Sequence, residues 1–266
     1  MDICNLIQMN SPNPGLTECV NLIYSVNEVY EMKTQDQTQM KPPPGSRVRR
    51  KQDARREAIL KTALRLGAEE GRAGLAINRI AEELDYTPGA LYRYFESKDA
   101  LLAELQNYAQ TEILHAYLNK MQEWSEKGKG ETGALFLILA ASDFYMDLRR
   151  TLPEHAALIG LIVGDPRNFQ AEGETDRLMT SAKALFSLAE GMFSQAQEAG
   201  ALPKGSARER ALIFWSTLHG ATQIWKLDRV EPGLKEPRYY GVRAAKALLL
   251  GWGADAKMVD KAWRMI

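Results

Sequence analysis

Apolar residues along most of this chain recur at the three- and four-residue spacing of helices with one buried face, and seldom alternate as strands do. The pattern is sharpest in one short block. Ile77, Ile80, Ala81 and Leu84 hold the i, i+3, i+4, i+7 positions of a first short helix. Asp85-Tyr86 breaks it. Thr87 then stands where an N-cap belongs, its hydroxyl able to accept an orphan N–H. Pro88 follows at the first helical position, where its missing N–H costs nothing. Successive residues of the second helix turn by about 100°, so Leu91 and Phe95 share one side and face inward. Ser97 is placed to cap a third helix.

On either side the pattern stays helical. Gln52 to Glu70 carries the stripe Ile59, Leu60, Ala63, Leu66 and Gly67, closed by Gly71 as a C-cap. Leu101, Leu102, Leu105, Tyr108, Ala109, Ile113, Ala116 and Tyr117 trace a stripe through two helices expected to meet near Gln106 to Tyr108. Ala134 to Arg150 is almost wholly apolar, but Asp143 and Asp147 make it a core helix, not a membrane span. Helices follow over Pro153–Gly164, Asp176–Ala199, Ala207–Leu227, Arg238–Leu250 and Ala254–Ile266. The loops between them are rich in Gly and Pro. Residues 1–40 show no period and read as a disordered extension, or as untranslated if synthesis begins at Met32 or Met40. Lys41 to Ser46 is a stiff polyproline linker. The expectation is an all-α protein.

Composition adds one asymmetry. The chain of 266 residues has a formal net charge of zero, which excludes a generic polycation. Yet residues 41–65 hold nine basic residues against two acidic ones, a local excess of seven. Such a cluster suits phosphate. Both cysteines, Cys4 and Cys19, lie in the first twenty residues, too few for a disulfide framework or zinc site. No membrane span or secretory segment is expected, so the location is cytoplasmic. Signatures of nucleotide or hydrolase chemistry are missing. Glu112-Ile-Leu-His115 has the spacing of half a di-iron site, but the second half has no counterpart. Neither a catalytic residue, nor a metal, nor a cofactor is expected.

The outward side of the second short helix is unusual for a solvated face. Thr87, Pro88, Gly89, Ala90, Tyr92, Arg93 and Tyr94 combine small residues, which let a backbone come close, with phosphate-binding hydroxyls. Arg93 can read a guanine edge. Lys98 and the amides behind Ser97 would take another phosphate. Asn78 and Arg79 point away from the buried face of their own helix and are further contact candidates. Arg47, Arg49 and Arg50 belong to a basic arm of the kind that grips the backbone or enters the minor groove.

Three runs carry a family resemblance: REAILKTALRLGAEEG, INRIAEEL and TPGALYRYFESKDALL. Residues 55–101 resemble the DNA-binding domain of the TetR family of transcriptional repressors. The sequence departs from that pattern with Asp85 in place of the usual Gly and Ala76 in place of Ser or Thr. The resemblance implies three parts: a 1–46 extension and linker, a 47–106 three-helix helix-turn-helix domain, and a larger 107–266 helical domain for ligand binding and dimerisation. It implies a homodimer on double-stranded DNA with a pseudo-palindromic operator, released by a small, largely apolar effector. The implied pocket walls are Trp124, Phe136, Phe144, Tyr145, Ile159, Ile162, Phe186, Met192 and Phe193. The family's dimer role, placed on 180–199 and 208–227, implicates Phe214, Leu218, His219, Gly220 and Gln223. The alternatives are an all-helical interaction module, which would leave the basic arm and Tyr92-Arg93-Tyr94 unexplained, or a helical-bundle enzyme.

Overall fold

The computed structural model describes residues 46–124, 127–163, 180–227 and 230–266. Every regular element among them is helical. In chain order these are α1 (Ser46–Glu70), α2 (Ile77–Glu83), α3 (Pro88–Leu91), α4 (Lys98–Trp124), α5 (Gly130–Thr151), α6 (Pro153–Val163), α7 (Thr180–Glu198), α8 (Ala207–Thr222), α9 (Pro237–Gly251) and α10 (Ala256–Trp263). A 3₁₀ turn, Ile224–Leu227, follows α8. The expected N-terminal extension and the loop after α6 lie outside the described residues. The chain divides into two compact units. The described part of one is 46–113 with 152–163 and 180–182; that of the other is 114–124, 127–151, 183–227 and 230–266.

In the first unit, α1, α2, α3 and the start of α4 close on Ile59, Ala63, Leu66, Ile80, Leu91 and Leu101, all fully buried. The α1 stripe is the one its periodicity predicts. Gly71 ends that helix in the left-handed region, at φ +64, where a Cβ is costly. The connection behind it is tight: a Cβ on Gly74 would sit 2.1 Å from the Leu66 carbonyl oxygen. Helix α6 packs along α1 and brings Leu158 into the same core. The unit is thus larger than the 47–106 head alone.

Three local expectations change. Helix α1 starts at Ser46, not Gln52, so the basic arm is helical. Past Gly45, nothing before Gly67 breaks a helix, and Arg, Lys, Gln and Ala favour one. Helix α4 runs unbroken from Lys98 to Trp124, without the junction expected near Gln106 to Tyr108. The weak helix formers Asn107 and Thr111 do not interrupt it, the Thr111 hydroxyl donating to the Asn107 carbonyl at 2.8 Å. The Thr87 side chain makes no capping bond; its carbonyl accepts from the Ala90 amide at 2.8 Å.

In the second unit, α5 is buried all round from Gly133 to Ala140, as expected of a helix apolar on every face. Helices α9 and α10 pack along it. Edge-on aromatic pairs tie the rest together: Tyr117 with Phe144 at 5.4 Å, Phe193 with Phe214 at 5.5 Å, and Phe193 with Trp252 at 5.4 Å. Each such pair is worth about 0.5–1.5 kcal/mol beyond its buried area.

Candidate nucleic-acid interface

The turn between α2 and α3 sets where the second short helix begins. Asp85 takes φ 54, a left-handed conformation that Asp tolerates because its short side chain can bond locally. The Tyr86 amide then donates back to the Ala81 carbonyl at 2.8 Å. Ala76, the N-cap of α2, offers no side-chain cap; its carbonyl accepts from Ile80 N at 3.0 Å.

Helix α3 has only four residues and no stability of its own. It is seated in the head by Leu91, fully buried, and Phe95, 2% exposed. This leaves Thr87, Pro88, Gly89, Tyr92 and Arg93 exposed, with Ala90 half-buried. Tyr92 is 51% exposed, an uncommon disposition for a large aromatic with buried neighbours. Among the described residues, a Cβ on Gly89 would meet no atom within 4 Å, so none of them demands a glycine there. Lys98 is exposed at the first position of α4, where Ser97 Oγ accepts from the Ala100 amide at 3.0 Å. That is the cap its sequence predicts.

Two candidate contacts are otherwise engaged. Tyr94 packs against the core, and its hydroxyl hydrogen-bonds Arg55, raising that guanidinium above its usual range. Arg79 donates to both Glu70 and Glu83, at 2.8 and 2.9 Å. Those bonds, first to Glu70 and then to Glu83, hold its charge more firmly than usual. Arg65 joins the same cluster through Glu83 at 2.5 Å and Glu69 at 2.8 Å. The cluster bolts α1 to α2, so Arg79 is committed within the head. Asn78 stays exposed, as do Arg49 and Arg50 in the first turns of α1; the Arg47 side chain lies outside the described residues.

The remaining candidates separate. Phe136, Met192 and Phe193 are buried core; Trp124, Phe144, Tyr145 and Phe186 are half-buried around them. The Tyr117 hydroxyl donates to Met192 Sδ at 3.2 Å. Ile159 belongs to the first unit and these residues to the second; the Ile162 side chain is outside the described residues. Phe214 and Leu218 are buried within their own protomer. His219 stacks on Trp215 at 5.3 Å and meets the Tyr145 hydroxyl through Nδ1 at 3.0 Å. The outward side of α8 is instead Leu212, Ile213, Ser216 and Gly220, with Gln223 half-buried at its end. The Ser216 and Thr217 hydroxyls turn back to the Leu212 and Ile213 carbonyls, each at 2.8 Å, which leaves that side apolar. Helix α9, packed on α8, adds exposed Tyr239 and Leu250. Of these, Gly220 and Gln223 were expected at the pairing surface and Leu212, Ile213, Tyr239 and Leu250 were not; on α9 the signal in the sequence is the four-residue recurrence of Tyr239, Arg243 and Ala247 along one face.

Comparison with known proteins agrees with the head. Residues 59–105 match the sequence model of the family described as "Bacterial regulatory proteins, tetR family". The chain is 29% identical over 198 residues to the uncharacterized HTH-type transcriptional regulator YerO of Bacillus subtilis (strain 168). That match covers 68% of this chain and 65% of YerO, slightly under two thirds of the relative's length. Among solved structures, the fold is similar to that of the transcriptional regulator FadR from Bacillus subtilis in complex with stearoyl-CoA. The TM-score is 0.55 at 16% identity, covering 73% of this chain and 97% of that one. It is also similar to AibR in complex with isovaleryl coenzyme A and operator DNA. There the TM-score is 0.54 at 19% identity, covering 76% and 100%.

Proposed function

The chain belongs to the TetR family of bacterial regulators, and from that premise we propose that it is a homodimeric repressor, released from its operator by a small, largely apolar effector. The observation that carries the DNA half is the exposed set Gly89, Tyr92, Arg93 and Lys98 on a head whose inner side is fully packed. Tyr92 and Lys98 bind phosphates and set register; Arg93 carries sequence preference. Two heads read successive major grooves about 34–36 Å apart on a pseudo-palindromic site. Residues 47–106 act as the head and 107–266 as the effector-binding and pairing part, working in the cytoplasm without catalysis.

Pairing uses the outward side of α8, Leu212, Ile213 and Gly220, continued by Tyr239 and Leu250 on α9. This replaces Phe214 and Leu218, which their own protomer consumes. The effector lodges among the half-buried Trp124, Phe144, Tyr145 and Phe186. It shifts the head spacing only by binding the two spacings with different affinity. Helix α4 runs through 106–108 without a break.

A mobility shift with the DNA upstream of the chain's own gene, alongside light scattering, tests this reading. A retained duplex at twice the protomer mass is expected. A monomer that retains no duplex overturns it. Thermal-shift screening with apolar compounds, acyl thioesters among them, tests the effector half, since a ligand of the native form raises the melting point by mass action.

A further inference from the structure

Arg56 lies in the basic cluster before the helix-turn-helix, but its guanidinium points inward to three partners. Nε and Nη2 make a bidentate pair with the two carboxylate oxygens of Glu104, on α4, the Nε bond being 2.7 Å. Nη1 donates to the Tyr94 carbonyl at 2.6 Å. Cζ lies 4.6 Å from the centroid of the Phe95 ring. Tyr94 and Phe95 are where the turn after α3 closes, their amides donating to the Leu91 carbonyl at 2.9 and 3.0 Å. One side chain on α1 therefore grips the end of the reading segment and the second turn of α4 together.

Resting on the DNA-binding reading above, we propose that Arg56 and Glu104 form a pin that aims the reading segment from α4. Arg56 is a positioning residue and not a phosphate contact, and Glu104, an acidic residue in a DNA-binding head, favours binding. A planar guanidinium suits this role, since its fork meets a carboxylate with two bonds and still has a donor for a carbonyl and a face for a ring. Four-residue α3 supplies no rigidity of its own, so its aim depends on what holds its C-terminal end. Leu91 and Phe95 fix its depth in the head; the pin fixes its direction relative to α4.

The two roles differ in sign, which makes the test direct. The probe is the duplex that the intact full-length chain enriches from random-sequence DNA, with binding followed by fluorescence anisotropy across a salt series. Glu104→Gln removes a negative charge. If the head met DNA through net charge alone, this variant would bind more tightly than the parent. The pin expects it to bind about three- to tenfold more weakly. Arg56→Gln is expected to weaken binding similarly without changing the slope of log affinity against log salt; a lost phosphate contact would lower that slope by about 0.9. In both variants, amide exchange should quicken over 88–96 while 59–66 stays protected.

Tighter or parent-like binding by Glu104→Gln overturns the proposal, and so does a reduced salt slope in Arg56→Gln. Loss of protection throughout the head in both variants also overturns it, because the pair would then be holding the fold and not aiming α3. If the parent retains no duplex, the DNA-binding reading itself falls, which is distinct from a parent that binds and variants that bind as well.

Discussion

Gly89→Ala should make the protein more stable and a worse DNA binder. A Cβ built at Gly89 meets no atom of the described residues within 4 Å, and the residue is the second of α3 with helical backbone on either side. The substitution therefore adds no clash, and it removes unfolded-state freedom that glycine loses on folding. That is worth about 0.5–1 kcal/mol, or roughly 2–8 °C in Tm for a cooperative unit of the head's size. On the proposed reading, the same methyl would stand between the α3 backbone and the groove wall of duplex DNA. Loss of one charge-assisted backbone bond to phosphate costs about 1.5–3 kcal/mol, which is about ten- to hundredfold in affinity. Differential scanning calorimetry and anisotropy titration on the same preparation give both numbers. Unchanged affinity would show that the backbone does not approach DNA at this point. A Tm lowered by several degrees would show that the space above Gly89 is not open.

The head was legible from sequence because its information is local. The spacing of Ile77, Ile80, Ala81, Leu91 and Phe95 gives two helices and their inner sides, and all five are buried. Asp85 carries its own warrant for a left-handed turn. What local pattern cannot show is which charge meets which across the fold. Arg55, Arg56 and Arg79 look like interchangeable members of a basic face. Yet Arg79 is taken by Glu70 and Glu83, Arg56 by Glu104, and Arg55 by Tyr94. These partners lie 4 to 48 positions away, and no period links the distant ones. The same limit applies to α8. Its periodicity shows that Phe214 and Leu218 share a side, but not whether that side meets α7 of the same protomer or a second copy. A ring 5.5 Å from Phe193 decides for the former. The break expected near Gln106 to Tyr108 does not form: Asn107 is a weak helix former, and tertiary packing readily overrides so small a preference.

Gly74→Ala should destabilise the head by about 2–3 kcal/mol, because its Cβ would lie 2.1 Å from a backbone oxygen that no rotamer change can move; denaturant unfolding checks this, and a neutral result would mean the 71–76 turn is looser than described. Arg93→Ala should relax preference at one base pair by about 1–3 kcal/mol, whereas Tyr92→Phe should weaken all sequences alike; selection on randomised operators separates the two, and unchanged preference in Arg93→Ala removes it from base reading. Acid should destabilise both units. His155 and His219 are held below the ordinary histidine range chiefly by burial, which penalises the charged ring. Between their depressed values and about 6.5 the unfolded chain binds more protons than the native one. Native stability is therefore complete above about pH 6.5 and declines as pH falls below it. Melting followed from about pH 7.5 to 5.5, above the range where carboxylates dominate, should show a falling Tm, flattened in the double variant His155→Gln/His219→Gln. A Tm that rises on acidification, or a double variant with the parent's slope, would mean these rings are not the groups that burial keeps neutral.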